Sequence, residues 1–272
     1  KIEQKVEEEE TNTVTIPYVH KQPRGGKMEK IESLKGKTIA IVGMGRSWHD
    51  YNLAKSHGIH FDEVWAINSV ASVIFHDRVF MMDPPSRFLD SDDAGGQTET
   101  MRKLLQEHDK PIYSCVVDER CPPVVEYPIQ QIVRDCHCYY LNNTVDYAIA
   151  FAYWNEVGNL KMFGIDFSYK GNLHFAEAGR GCCEFWLDKC MHKDIQVEVA
   201  NSSALLDSNE DAQDKLYGYH RLKDPMVVVL DEEKKLKVLK KSEYESSIVR
   251  PERTPIMVDR NDPNVLGEPK KW

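Results

Sequence analysis

The chain has no long apolar run. No window approaches the roughly 18 apolar residues that a membrane-spanning helix needs, so no membrane span is expected. It also lacks a basic stripe interleaved with aromatics. Lys and Arg number 35 against 44 Asp and Glu, a net charge of −9, which argues against duplex nucleic acid as a partner and leaves room only for a local basic pocket. The first residues, Lys-Ile-Glu-Gln-Lys-Val-Glu-Glu-Glu-Glu, have no apolar core of the kind a signal peptide carries, and there is no initiator Met, as in a trimmed or partial chain. The seven cysteines, Cys115, Cys121, Cys136, Cys138, Cys182, Cys183 and Cys190, are odd in number and lack framework spacing. Reduced thiols and a cytoplasmic location are therefore expected. There is no C-x-x-C pair. Cys136-His137-Cys138 alternates along what reads as a core strand, so buried thiols are expected there and no metal site. No strong Mg²⁺ signature is expected, and no G-x-S-x-G elbow, Cys–His constellation or internal repeat is present, which removes support for covalent hydrolysis.

What is present is an alternation of short apolar strands with helical patterns. Strands are expected at 38–43, 63–68, 78–82, 111–117, 138–141, 160–165 and 195–200, and helices at 47–57, 98–108, 128–135, 144–156 and 175–192. Gly158-Asn159 reads as the stop of the fourth helix. The strands are continuous Val/Ile runs, as expected when both faces are covered. The pattern implies βαβ units, hence an α/β, Rossmann-like, mostly parallel sheet with helices on both faces. Residues 37–208 are expected to form this nucleotide-binding domain. Residues 1–36 read as a flexible charged arm, 209–249 as a β-hairpin extension around Met226–Leu230 and Leu236–Leu239, and 250–272 as an extended or disordered Pro-rich tail.

The most informative run is Gly43-Met44-Gly45-Arg46-Ser47, which follows an apolar strand and opens a helix. Two glycines permit a tight turn, and the amides of a helix N-terminus bind anions, phosphates above all. Arg46 and Ser47 add a cation and a hydroxyl. The third glycine of the dinucleotide fingerprint is missing, and a turn without a ligand is the competing reading. In an open α/β sheet ligands collect beyond the carboxyl ends of the strands. Polar residues break the apolar runs at that edge repeatedly: Asn68 and Ser69, Asp83, Asn142, Asn143 and Thr144, Asp166 and Ser168, and Asn201 to Ser203. A shared ligand crevice is expected there. Asp83 suits a ribose hydroxyl or a metal, or caps the segment that follows it. His174 precedes a helix and can act as general base or acid. Glu177 and Arg180 follow at three-residue intervals on the same helix face, positioned to orient His174 and to pair with a phosphate, or else to form a surface Glu–Arg pair.

The order of these motifs resembles the bacterial lipooligosaccharide sialyltransferases and their wider relatives, the MptE-like and motility-accessory-factor proteins. The likeness covers about residues 37–208 and is densest from Asn143 to Leu206, through Gly164-Ile-Asp-Phe167, Cys183-Glu-Phe-Trp186 and Val199-Ala-Asn-Ser-Ser-Ala-Leu-Leu206. The resemblance implies a nucleotide-sugar crevice in which His174, ten residues before Glu184, inherits the general-base role. Asn68 matches a nucleotide-contacting Asn, and Asn143 and Thr144 match a polar pair lining the donor site. The family's first loop reads G-N-G-P-S; here Met44 and Arg46 stand in place of its Asn and Pro. The Tyr that usually follows G-I-D-F is Ser168, with Tyr169 next to it, and the long acceptor loop is largely missing. The charged arm and terminal hairpin also look similar to small proteins of tailed bacteriophages, which implies the host cytoplasm as location.

The expected function is a nucleotide- or nucleotide-sugar-dependent transferase, glycosyltransferase-like, with no certain cofactor beyond the nucleotide donor. The expected partner is a small nucleotide-type molecule, and a homo-oligomer is compatible with the fold. The competing readings are a protein that sequesters a nucleotide without turnover, and a phage structural or assembly protein that reuses the fold.

Overall fold

The computed structural model describes residues 28–168, 172–212, 214–219, 224–231 and 233–248. The expected tail at 250–272 and most of the arm lie outside these residues. Contacts divide the chain into a unit ending at Glu210 and a second beginning at Asp211.

The first unit is built on a seven-stranded sheet in the order β5-β4-β3-β2-β1-β6-β7. Its strands are β1 (Thr38–Val42), β2 (Glu63–Ile67), β3 (Arg78–Phe80), β4 (Ile112–Ser114), β5 (Val124–Glu126), β6 (Asn159–Phe163) and β7 (Gln196–Val199). Every pairing is parallel. Helices α1 (Trp48–Ser56), α2 (Ser86–Leu89), α3 (Thr98–Glu107), α4 (Ile129–Cys136), α5 (Thr144–Trp154) and α6 (Leu173–Met191) connect them. This is the expected Rossmann-like α/β architecture.

The two-residue period of a strand explains the continuous apolar runs, because alternate side chains feed opposite cores. Ile39, Ile41, Trp65, Ile67, Phe80 and Tyr113 enter one core with α4, α5 and α6. Ala40, Val42, Val64, Ala66, Val79 and Met81 enter the other with Tyr51, Phe88, Met101 and Leu105 from α1, α2 and α3. The larger ring cluster lies in the first of these cores. There Phe151 of α5 meets the rings of Trp65, Phe80, Tyr113, Tyr127 and Trp154.

Three local expectations are corrected. The stretch 138–141 forms no strand. Cys136 ends α4, and His137 takes a left-handed conformation at φ 50°, with the Cys138 amide donating to the Val133 carbonyl. This is a helix C-cap, so its alternation was a false strand signal. Its place in the sheet is taken by β5, three residues long and not expected from the sequence. The folded unit also starts before Lys37. Leu34 is buried, Met28 and Ile31 pack against the core, and the Ile31 amide donates to Asn155 Oδ1 at 2.7 Å. Helix α5 stops at Trp154 rather than 156, and the chain turns through Glu156 at φ 57° before β6.

The second unit contains β8 (Met226–Leu230) and β9 (Leu236–Lys240), the expected antiparallel hairpin, followed by α7 (Lys241–Ser247).

Phe151→Ala should destabilise the first unit by about 3–5 kcal/mol, the range for an aromatic truncated in a tight core. Urea unfolding followed by tryptophan fluorescence measures this. A loss below about 1 kcal/mol would show that the ring cluster does not anchor the sheet.

Candidate functional site

The strand order reverses between β1 and β6, since β1 leads to β2 on one side while β6 lies on the other. A reversal of this kind opens a crevice at the carboxyl ends of the strands. A cavity of about 310 Å³ lies there, lined by the loop after β1 (Gly43 to Arg46), by Ile67 and Asn68 after β2, and by Gly164 to Ser168 after β6. A second cavity of about 480 Å³ adjoins it and takes in Asp83, Arg87, Asn142 to Thr144, Tyr147 and Phe175. The two share Ile67, Asn68, Val145 and Phe167. A third, of about 500 Å³, shares Arg46, Asp166 and Ser168 with the first and adds His49, Asp50 and Ser202.

The floor is an interlock of two loops. The Gly43 amide donates to the Phe163 carbonyl and the Gly45 amide to the Gly164 carbonyl, each at 2.8 Å. A Cβ at Gly43 would sit 2.6 Å from the Gly164 oxygen, and one at Gly45 would sit 2.5 Å from Asp166 Oδ2. The glycines are therefore required by the close approach of one chain to another. Asp166 completes the joint. Its carboxylate accepts from the Ser47 amide at 2.8 Å and from the Ser47 hydroxyl at 2.5 Å. Ser47 Oγ in turn accepts from the Gly164 amide at 2.8 Å. Ser47 is fully buried. A protein carboxylate thus occupies the anion position at the N-terminus of α1.

This corrects the expected phosphate cradle. Ser47 and Asp166 are joined to each other and have no free donor for a ligand. Among the described residues the amides of Met44 and Arg46 make no hydrogen bond, and the Arg46 guanidinium has no ion pair. Arg46 is exposed and lines both the first and third cavities.

Asn68 lines the first two cavities with φ at 53°, and its Oδ1 is buried without a partner. An unpaired buried amide oxygen costs about 1–3 kcal/mol, so it is a polar group in want of a donor. Phe167, which lines the same junction, also has positive φ, at 48°. A bulky residue in this region is strained, and such strain gathers where ligands are held. Ser69 is buried and donates to Gln97 Oε1 at 2.8 Å. Gln97 itself lines the first cavity and was not singled out in the sequence; the Gly95-Gly96 pair just before it was the available signal.

Asn143 caps α5. Its Oδ1 accepts from the Val145 and Asp146 amides, and the Asp146 carboxylate accepts from the Asn142 and Asn143 amides at 2.9 and 3.0 Å. This is a capping box, with Asp in the reciprocal position. Asn143 Nδ2 is engaged as well, by Asp146 and the Gly179 carbonyl. Asn143 therefore shapes the second cavity with its side chain already committed, while the half-buried Thr144 lines it with no hydrogen bond from its hydroxyl among the described residues. Burial pushes the Asp146 carboxyl up to about 6, and its Oδ1 has no hydrogen-bond partner. Asp83 does not cap α2. It pairs with Arg87 at 2.6 Å on the wall of the second cavity.

The triad expected on α6 is not assembled. His174 and Glu177 are exposed, and neither lines the cavities. Phe175, the next residue on α6, lines the second cavity, while His174 itself is exposed. Arg180 points elsewhere, paired with Glu184 and Asp207 at 2.7 Å each. Among the described residues no three His, Cys, Asp or Glu side chains gather as a metal site would require, and no helix is long and apolar enough to cross a membrane.

No known protein family and no curated protein matches the sequence. Among solved structures the chain is similar to the sialyltransferase CstII from Campylobacter jejuni in complex with the substrate analogue CMP-3FNeuAc. Identity is 17%, the match covers 62% of this chain and 82% of that one, and the TM-score is 0.42. For a point mutant of the alpha-2,3/8-sialyltransferase CstII the values are 18%, 62%, 84% and 0.43. For the apo alpha-2,3-sialyltransferase from Campylobacter jejuni they are 16%, 66%, 82% and 0.38. A likeness this distant carries no argument about the site.

The raised Asp146 carboxyl fixes a pH dependence. Below about pH 4 it is protonated in both folded and unfolded chains. Between about 4 and 6 the folded chain keeps a proton that the unfolded chain has lost, so stability falls as pH rises, by up to about 1.4 kcal/mol per unit. Asp146→Asn keeps an acceptor for the cap and removes the charge. Its stability relative to the wild type should climb from pH 4 to 6.5 and then level off in urea titrations. A constant difference across that range would remove Asp146 from this role.

Proposed function

We propose that the crevice binds a nucleotide or nucleotide-sugar and that the protein transfers a group from it to an acceptor hydroxyl. The observation that carries this reading is the continuous crevice at the strand-order reversal. Asn68, Thr144, Met44 and Arg46 line it, and the buried Asn68 Oδ1, the Thr144 hydroxyl and the Met44 and Arg46 amides make no hydrogen bond among the described residues. The two adjoining cavities have the size of a small-ligand site. Asn68 and Thr144 would hold base and ribose. Arg46, free where Arg180 is not, would neutralise the leaving phosphate. His174, one residue before Phe175 of the second cavity, would take the acceptor's proton as its oxygen bonds to the transferred carbon and the carbon–oxygen bond to phosphate breaks. A glycosyltransferase-like reaction fits this arrangement.

A second reading, binding without turnover, is favoured by one observation. His174 has no orienting partner among the described residues, and Glu177 makes no bond to it. A general base is ordinarily held by a third group.

Two variants separate these readings. Asn68→Gly keeps the left-handed backbone and deletes the amide. It should weaken binding of ribonucleoside mono- and diphosphates at least tenfold in calorimetry, with the melting temperature little changed. His174→Ala should leave that binding intact and cut product formation from nucleotide-sugars by about 10²–10⁴. Unchanged turnover in the His174 variant would remove it from the mechanism. Tight binding by the wild type without any product would establish the second reading, and absence of binding would end both.

A further inference from the structure

The hairpin of the second unit has one bare apolar face. The register sets Met226 opposite Lys240, Val228 opposite Val238, and Leu230 opposite Leu236. Residues directly opposite in an antiparallel pair share a face, and so do alternate residues along each strand. Met226, Val228, Leu230, Leu236 and Val238 therefore form one surface, and each is between 59% and 75% exposed. On the other face Val227, Val229 and Leu239 are half-buried, and α7 packs against both strands. Within the described residues of the second unit the hairpin thus packs a helix against one face and leaves the apolar side chains of the other exposed.

The local structure is well specified. Asp231 accepts from the amides of Glu233 and Lys235 across the turn, each at 2.9 Å. Asp224 fastens β8 to α7 through the Ser242 amide and hydroxyl at 2.9 and 2.7 Å. Yet two strands alone are marginally stable in water, and a solvated sheet face ordinarily alternates with polar residues. Five large apolar side chains on one small ribbon amount to on the order of 500 Å², as much as the largest patch an ordinary monomer exposes.

We propose that this face is a self-association surface, covered by the same face of a second copy of the chain packed about a two-fold axis. Two such faces together bury roughly 1,000 Å², the lower bound for a specific interface. The register places Lys240 at one end of the face and the Asp231 carboxylate at the other, where Glu233 is paired with Lys235 at 2.7 Å. Antiparallel stacking sets the lysine of each copy against the turn of the other. The product is a helix–sheet–sheet–helix stack with an enclosed core, at the usual sheet spacing of about 10 Å. The contact is isologous, as in most homodimers. None of its residues lines the crevice, so the proposal does not depend on the reading of that site.

Light scattering coupled to size exclusion tests this on the full chain across a concentration series. The wild type should run at twice the mass of one chain. Val228→Lys with Leu236→Lys should run as a monomer, its dissociation constant raised at least a hundredfold. Val228→Thr with Val238→Thr preserves strand propensity, guards against a folding defect, and should raise the constant at least tenfold. Far-ultraviolet circular dichroism confirms that each variant keeps its fold. A wild type that stays monomeric at all concentrations overturns the proposal, as does a dimer that survives both pairs of substitutions.

Discussion

The joint between the loop after β1 and the loop after β6 is the constraint on which the rest of the first unit depends. Two backbones approach so closely that glycine is required on both sides, and Asp166 then clamps Ser47 through both its amide and its hydroxyl. Charge-assisted bonds of this kind are strong, and here they are buried. The joint sits where the strand order reverses. It fixes the angle at which α1 leaves the sheet and holds the two lips of the crevice together. The positive end of α1, which a ligand phosphate would otherwise use, is neutralised from within.

That arrangement redistributes the chemistry of the crevice. Ser47, Asp166 and Asn143 build it, and their polar atoms face one another. The groups left without a partner come from positions beside them: the amides of Met44 and Arg46, the exposed Arg46 side chain, the buried oxygen of Asn68, and the Thr144 hydroxyl. Backbone strain at Asn68 and Phe167 lies on the wall shared by the two cavities, where the surrounding structure holds it in place. The site is thus a rigid frame with a small number of unsatisfied groups set into it, which is how small-molecule sites are ordinarily made.

Much of this was legible in the sequence. The Val/Ile runs identified the parallel sheet because alternate residues feed two cores, and six of the seven strands follow from that signal. Asn143-Thr144 announced a helix start through its capping chemistry. Asn68, Asp83, Asn142 to Thr144, Asp166 and Ser168 line the cavities because strand ends are set by where the apolar runs break, whereas Ser69 turns to Gln97 instead. What was not legible depends on tertiary pairing. The turn Gly43 to Ser47 has the residues of a phosphate loop, and only the approach of Gly164 and Asp166, about 120 residues away, assigns them to an internal joint. Arg180 could not be separated from a phosphate ligand until Glu184 and Asp207 were seen beside it. Cys136 to Cys138 alternates like a strand because a helix end followed by a left-handed residue leaves the same trace. Three-residue β5 carries too few residues for any periodicity.

The central claim is that the frame made by the two loops holds a nucleotide-type guest against Asn68 and the Met44 and Arg46 amides. Amide hydrogen exchange on the full chain, with and without saturating ribonucleoside diphosphates or nucleotide-sugars, tests it most directly. The account predicts added protection in peptides covering residues 43–47, 67–69 and 164–168, with little change in the strands already protected by the sheet. Identical exchange in those three segments with every nucleotide tried would contradict it.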